Sequence, residues 1–472
     1  MTENIDAIIL GAGITGLSCA YFLKNAGLNL RVLESEAACG GRIKTLSEAN
    51  YLLEAGPNTL QSKDSELWDL VCELGLESRV EFAPENSRRR WIVRDGKLAL
   101  LPTGPAQIFT TKALSWRGLL RAALEPFHLS RPHPDESVAT FVRQHLGSEV
   151  CDYLLNPFVR GIYAGDPEQL SIRAAFPKLF EAASRTGSIV RGLIGARRKA
   201  RNVARASKKA ASIYTFSGGI GDLIAALREK LSGCIETGAE ALRLSVDSDG
   251  FYRVECSHGA KVLKSRRIIF TVPAEIAAKL ITPLDSRLAE SFEKLNYPAL
   301  AVVYTAYKRA QVQHALDGFG FLAPAKEKRF VLGTLFSSSL ARGRAPADEV
   351  LLTSMVAGSS EPEKFLIGDP GLIDNVQRDL RELLGIAGKP VFSKVTRWER
   401  SIPQYSLQQL ELCDRIAAFE RSYPGISFVG NYRNGVSVGA CVKGAKELSG
   451  AIVANSQLTR DQDRILNEVQ NG

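Results

Sequence analysis

Ile5–Leu10 (IDAIIL) is a short, nearly unbroken apolar run that ends at a glycine-rich turn, the pattern of a parallel strand buried on both faces. After the turn, Leu17–Gly27 sets its apolar residues at helical spacing and stops on Gly27. Leu28–Glu34 (LNLRVLE) resumes as a second strand. From Phe109 to Lys209 the pattern becomes helical and basic, without strand-like alternation. Gly238–Ala274 alternates and is punctuated by DSDG and SHG, which predicts hairpins through its IIF run. A second strand-rich stretch runs from Pro298–Lys308 through Arg329–Phe336 to Glu349–Val356. Gly425–Asn431 returns to strand, followed by a glycine-rich turn and the helical Lys443–Leu458. Both ends thus have βα character, as expected of one nucleotide-binding domain completed by the C-terminus.

Composition narrows the class. A chain of 472 residues exceeds one hydrophobic core, so two or three domains are expected. With 45% hydrophobic and 24% charged residues it reads as a folded protein. No apolar run approaches the roughly eighteen residues of a membrane span. The N-terminus carries neither a signal nor a transit pattern, so a cytoplasmic protein is expected. Eight cysteines (19, 39, 72, 151, 234, 256, 413, 441) are scattered and read as apolar thiols, and five histidines (128, 133, 145, 258, 314) form no ligand cluster. A metal site is not expected.

The net charge of +9 calls for an acidic partner: nucleic acid, anionic lipid or a polycarboxylate ligand. Much of the excess lies in Arg191–Lys209, where GARRKARNVARASKKA carries seven basic residues and no acidic one. A solvated helix face or loop explains that run as well as a functional patch does. The absence of interleaved aromatics argues against nucleic acid.

The chemistry begins at Gly11-Ala12-Gly13-Ile14-Thr15-Gly16. Lying between strand and helix, Gly11 permits the tight turn, Gly13 lets backbone approach a pyrophosphate, and Gly16 packs helix on strand. The helix N-terminus offers N–H groups to phosphate. Glu34 ends the second strand about twenty residues on, where an acid takes ribose hydroxyls. FAD and NAD both fit this fingerprint.

Two further segments turn the choice to FAD. Gly40-Gly41-Arg42 and Glu54-Ala55-Gly56-Pro57-Asn58 follow in order, and Val429-Gly430-Asn431 with Gly435-Val436-Ser437-Val438 closes the chain. Together they resemble the amine-oxidase, porphyrinogen-oxidase and phytoene-desaturase group of flavoproteins. Asn156–Leu179, Gly318–Pro324, Leu332–Pro346, Gly430–Gly439, Leu101–Pro105 and Trp398 with Ile402–Tyr405 (IPQY) resemble the protoporphyrinogen oxidase family and its coproporphyrinogen-oxidising relatives. One departure is Gln408-Gln409, where that family usually carries Gly-His after IPQY.

The resemblance implies an α/β plus α architecture: a discontinuous Rossmann-like FAD-binding domain, a mixed-sheet substrate domain and a helical membrane-associating domain. The implied division gives FAD binding to residues 1–86, 212–295 and 406–472, substrate binding to 87–108 and 296–405, and the helical domain to 109–211. It implies FAD contacts at Gly11–Gly16, Glu34, Arg42, Gly56, Pro57, Asn58, Thr59, Trp398, Val436, Ser437 and Val438, and at Ala241 on the adenine side. The substrate carboxylate partner is implied at Arg90, with Arg88 and Arg89 as alternative registers. Leu322 and Leu335 match an apolar pair gripping one pyrrole ring, Met355 a larger apolar residue on the opposite side, and Gly161 a backbone position under the macrocycle. Read without the resemblance, the apolar residues are simply core, Gly161 is a turn glycine, and SRRRW is a solvated turn.

The implied activity is FAD-dependent oxidation of protoporphyrinogen IX to protoporphyrin IX, with dioxygen as acceptor and hydrogen peroxide as by-product. Coproporphyrinogen III is the alternative substrate. The cofactor carries the chemistry, so no side chain is named as general acid or base. Vinyl groups suit the wall at Leu322, Leu335 and Met355 better than propionates do, unless Arg342, Arg344 or the basic helices reach them. A desaturase or amine oxidase on the same scaffold, or a protein in which FAD is structural, are the competing classes. Peripheral attachment to the cytoplasmic face of an anionic membrane is expected through Leu119-Leu120-Arg121 and Arg191–Lys209.

Overall fold

The computed structural model describes residues 5–102, 111–203, 212–257 and 261–470, with side chains outside 197–203 and 456–470. Thr103–Pro105 of the LPTGP segment, residues 204–209 of the basic run and His258-Gly259 of the SHG turn lie outside the described residues.

At the centre is a five-stranded sheet in the order Ile235–Thr237, Leu30–Glu34, Ala7–Leu10, Ile268–Phe270, Ile426–Phe428, with all neighbours parallel. The apolar run at its middle is explained by burial on both faces: Ala7 and Ile9 enter one core, Ile8 and Leu10 another. Helix Ile14–Asn25 packs on the first core, and helix Val438–Gln470 packs on that helix. The C-terminus therefore completes the sheet begun by the N-terminus.

Ala241–Val246, Tyr252–Cys256 and Val262–Ser265 form the expected antiparallel meander. The hairpin reading of IIF is corrected: Ile268–Phe270 leaves the meander and runs parallel between Ala7–Leu10 and Ile426–Phe428. Its three residues are all buried, which a solvated hairpin strand does not require.

A seven-stranded mixed sheet runs in the order Phe392–Trp398, Leu300–Lys308, Glu349–Ala357, Gly333–Leu335, Gly320–Leu322, Trp91–Arg94, Lys97–Leu100. One face, with Val93, Phe321, Leu352 and Val356, is covered by helix Asp369–Leu384. Residues 111–203 form helices without a strand, including Trp116–Ala123, Val138–Leu146, Asn156–Tyr163 and Ile189–Val203. No helix among the described residues is long and apolar enough to cross a membrane.

Candidate functional site

The dinucleotide turn forms as its glycines require. Gly11 has φ of +98°. A Cβ on Gly16 would lie 2.0 Å from the Gly11 carbonyl oxygen, so only glycine lets helix meet strand here. A Cβ on Gly13 meets nothing within 4 Å, leaving its backbone open to close approach. Gly13 is also the N-cap of helix Ile14–Asn25 and supplies no side-chain cap, while the first turn holds no acid. Those N–H groups fit a pyrophosphate. Thr271, from the neighbouring strand end, donates its hydroxyl to the carbonyls of Leu10 (2.7 Å) and Gly11 (3.0 Å), bracing the turn. Nothing in the sequence singled that threonine out.

Glu34 is buried at the C-terminal end of its strand, where its carboxylate accepts from the Ala12 N–H (2.8 Å) and the Glu36 N–H (2.9 Å). Two backbone donors fix the carboxylate and leave further lone pairs for ribose hydroxyls. The chain then passes this end again: Ala239 N–H donates to the Glu34 carbonyl (2.8 Å), two residues before Ala241 opens the meander.

Of the other FAD candidates, Gly40 and Gly41 meet the same turn. Gly40 N–H donates to the Ala12 carbonyl (2.9 Å), and a Cβ on Gly41 would lie 3.4 Å from Gly13 Cα. A Cβ on Gly56 would be 1.9 Å from the Arg42 carbonyl oxygen. Arg42 stacks 4.9 Å from the centroid of Trp398, whose indole N–H donates to the Ala55 carbonyl (2.7 Å). Burial lowers the Arg42 pKa, opposed by the Glu275 carboxylate. Pro57 and Thr59 flank Asn58, whose amide returns to the Gly56 carbonyl (3.0 Å). Val436 and Ser437 lead directly into the helix that begins at Val438.

The substrate candidates lie on one face of the mixed sheet. Register pairs Leu322 with Gly333, Gly333 with Met355, and Leu335 with both Gly320 and Thr353, so Leu322, Leu335 and Met355 share a face. All three are half-buried where most strand neighbours are fully buried. Met355 thus flanks the leucines along the sheet instead of standing across from them. A Cβ on Gly161 would lie 2.3 Å from Leu322 Cδ2, so that glycine brings helix Asn156–Tyr163 onto the leucine wall. Arg90 precedes strand Trp91–Arg94, which pairs with Gly320–Leu322, and Trp398 ends the strand at the opposite edge. Five strand spacings of about 4.8 Å separate the Arg90 strand from the Trp398 strand, about 24 Å in all.

The three adjacent arginines are not equivalent. Arg88 pairs with Glu85 (3.6 Å) and Arg89 with Asp317. Arg90 is half-buried and stacks on Phe319, and among the described residues no carboxylate pairs with it. Its burial lowers its pKa, with no neighbouring charge opposing that shift. The suggestion that Arg344 reaches a substrate propionate is corrected: Arg344 is buried, pairs with buried Glu54 (3.1 Å) and donates to Thr215 Oγ1 (2.8 Å). Arg342 remains exposed.

Bracing contacts missed in the sequence come from the segment after Trp398. Tyr405 ties the turn before Val436, and Gln409 donates to the Tyr432 carbonyl (2.7 Å) in that turn. Gln409 sits where the family pattern is broken, and its amide supplies a donor there.

Known proteins match this arrangement. The family model for flavin containing amine oxidoreductase covers residues 14–453. Protoporphyrinogen oxidase 2 of Arabidopsis thaliana is 32% identical over 462 residues, which cover 92% of this chain and 91% of that one. Coproporphyrinogen III oxidase of Bacillus subtilis is 27% identical over 455 residues, covering 93% and 96%. The crystal structure of a candidate protoporphyrinogen oxidase from Exiguobacterium sp. 255-15 superimposes with a TM-score of 0.80 at 24% identity, over 96% of this chain and 100% of that one.

Proposed function

The chain belongs to the flavin-containing amine oxidoreductases, within their protoporphyrinogen oxidase group, as an FAD-dependent oxidase, and we propose that it oxidises protoporphyrinogen IX in preference to coproporphyrinogen III, with dioxygen as acceptor. One observation carries this reading: a single sheet face bears Arg90 near one end, Leu322, Leu335 and Met355 in the middle, and Trp398 at the other edge. A flat, largely apolar ligand with an anionic rim suits that face. The bound flavin supplies a two-electron acceptor. The chain's own part is to orient the ligand: Arg90 holds a carboxylate by a charge-assisted fork, the leucines and Met355 grip the rings, and Gly161 admits close approach. On this reading the FAD-binding, substrate and helical domains divide the chain at the boundaries given above.

We also propose that the helical region docks peripherally on anionic membrane. Trp116 and Phe127 are 69% and 76% exposed, Leu120, Leu193 and Ile194 are exposed beside them, and Arg117 and Arg191 stack on the two aromatics. Arg121 takes no part, since its guanidinium donates to the carbonyls of His145 (2.8 Å) and Gln144 (2.5 Å).

The deciding experiment is anaerobic mixing of the yellow protein with each porphyrinogen. Bleaching of the flavin by protoporphyrinogen IX supports the proposal. Bleaching only by an amine or a carotene precursor selects the competing oxidase classes, and no bleaching by any of them leaves FAD a structural group.

A further inference from the structure

The segment Ile402–Tyr405 touches both walls of the site through two adjacent side chains. The Gln404 amide nitrogen donates to the Tyr163 carbonyl (2.8 Å), the last residue of helix Asn156–Tyr163, which carries Gly161. Carbonyls at a helix end lack partners within the helix, and this bond satisfies one of them, just before Ala164 turns the chain into the left-handed region. The fit is close: a Cβ on Gly165 would lie 2.2 Å from Gln404 Oε1. The next residue points the other way. Tyr405 donates its hydroxyl to the Asn431 carbonyl (2.6 Å) and accepts from the Gly435 N–H (2.8 Å). One oxygen thereby closes the turn Asn431–Gly435, which delivers Val436–Val438 at the start of the C-terminal helix. Gly435 has φ of +113°, a conformation glycine adopts without steric cost. The segment itself is anchored by Ser401 N–H to the Pro298 carbonyl (2.9 Å) and Gln404 N–H to the Asn296 carbonyl (2.9 Å), at the entry to the mixed sheet. Tyr405 returns its own carbonyl to the Ser171 N–H (2.8 Å).

We infer that Gln404 and Tyr405 are positioning residues that set the two walls independently: Gln404 the helix that bears Gly161, and Tyr405 the turn that presents backbone N–H groups to the flavin. This rests on the reading that Val436–Val438 face FAD and Gly161 faces the porphyrinogen. Tyr405→Phe keeps the ring and removes the oxygen, leaving the Gly435 N–H and the Asn431 carbonyl without it. Gln404→Met keeps the volume and removes the amide donor.

The test measures FAD dissociation from the refolded apoprotein, the absorption spectrum of bound flavin, KM and kcat for protoporphyrinogen IX, and the apoprotein melting temperature. Tyr405→Phe is expected to weaken FAD binding about tenfold, or about 1.4 kcal/mol, and to shift the flavin band, with KM within experimental spread of the parent. Gln404→Met is expected to raise KM about tenfold, with kcat and FAD affinity unchanged. If both variants move the same parameters, or lower only the melting temperature, the division of labour is overturned. Val438→Pro is the control, because proline is tolerated at the first position of a helix and deletes an N–H assigned to the flavin. If it leaves FAD binding intact, the flavin reading of the turn fails; if it weakens binding while Tyr405→Phe does not, only the role of Tyr405 fails.

Discussion

The guanidinium carbon of Arg90 lies 4.1 Å from the centroid of the Phe319 ring. The ring holds the side chain in place without neutralising it, and although one guanidinium nitrogen donates to the Ser87 carbonyl, no carboxylate among the described residues pairs with the charge. Arg89, one residue earlier, spends its charge on Asp317. Arg90→Ala should therefore raise KM for a porphyrinogen about ten- to a hundredfold, the loss of a charged hydrogen bond of roughly 1.5–3 kcal/mol, with FAD content unchanged. Steady-state kinetics on Arg88→Ala, Arg89→Ala and Arg90→Ala decides the register. An equal effect from Arg89→Ala would move the anchor to that residue.

Protoporphyrinogen IX should give a higher kcat/KM than coproporphyrinogen III. The two differ where one carries vinyl groups and the other propionates, and Leu322, Leu335 and Met355 offer the wall no charge. With Arg344 committed to Glu54, one of the cations that could have rescued a propionate is gone. Even about 1.4 kcal/mol against an unpaired carboxylate gives tenfold discrimination. Kinetics on both compounds at one oxygen tension tests this, and Arg342→Ala should leave the ratio unchanged.

Stability should fall on acidification because of one buried histidine. His145 and Glu125 are fully buried, 3.2 Å apart, and Glu125 also accepts from Ser188 Oγ (2.8 Å) and the N–H groups of Ile189 (2.6 Å) and Val190 (3.2 Å). Burial pulls the His145 pKa below 6.5, against the Glu125 carboxylate that raises it and with His128 and Arg121 lowering it further. The unfolded chain then binds the proton first. Stability is full above pH 6.5 and is lost as pH falls from there toward the lower folded value. Thermal melting of the parent and His145→Gln across that range should show a steeper acid loss in the parent. Parallel profiles would remove His145 as the cause.

Vesicle binding should depend on both charge and exposed apolar tips. Each basic residue near an anionic surface contributes about 1 kcal/mol, screened within a Debye length. Co-sedimentation with vesicles containing an anionic lipid should drop steeply with salt, and Trp116→Ser with Phe127→Ser should weaken it at constant charge. Equal recovery on neutral vesicles would leave the basic run as solvated surface.

How much of this was written locally in the chain follows from the range of each interaction. The turn Gly11–Gly16, its flanking strand and helix, and Glu34 were legible because apolar runs and glycine geometry act over a few residues. The FAD and substrate positions came from motif order, which carries a site's address but not its contacts. Tertiary structure decided the rest. Ile268–Phe270 looked like one more hairpin strand until its neighbours were known, and its partner Ile8 lies far away in the chain. Arg88, Arg89 and Arg90 are alike in sequence and differ because Glu85 and Asp317 reach two of them while the third is half-buried against Phe319. Arg344 looked like a cation within reach of a propionate, and Tyr405 like one letter of a motif. Charge pairing and hydrogen bonding are decided within about 3 Å, and which distant groups come that close is settled by packing, not by order along the chain.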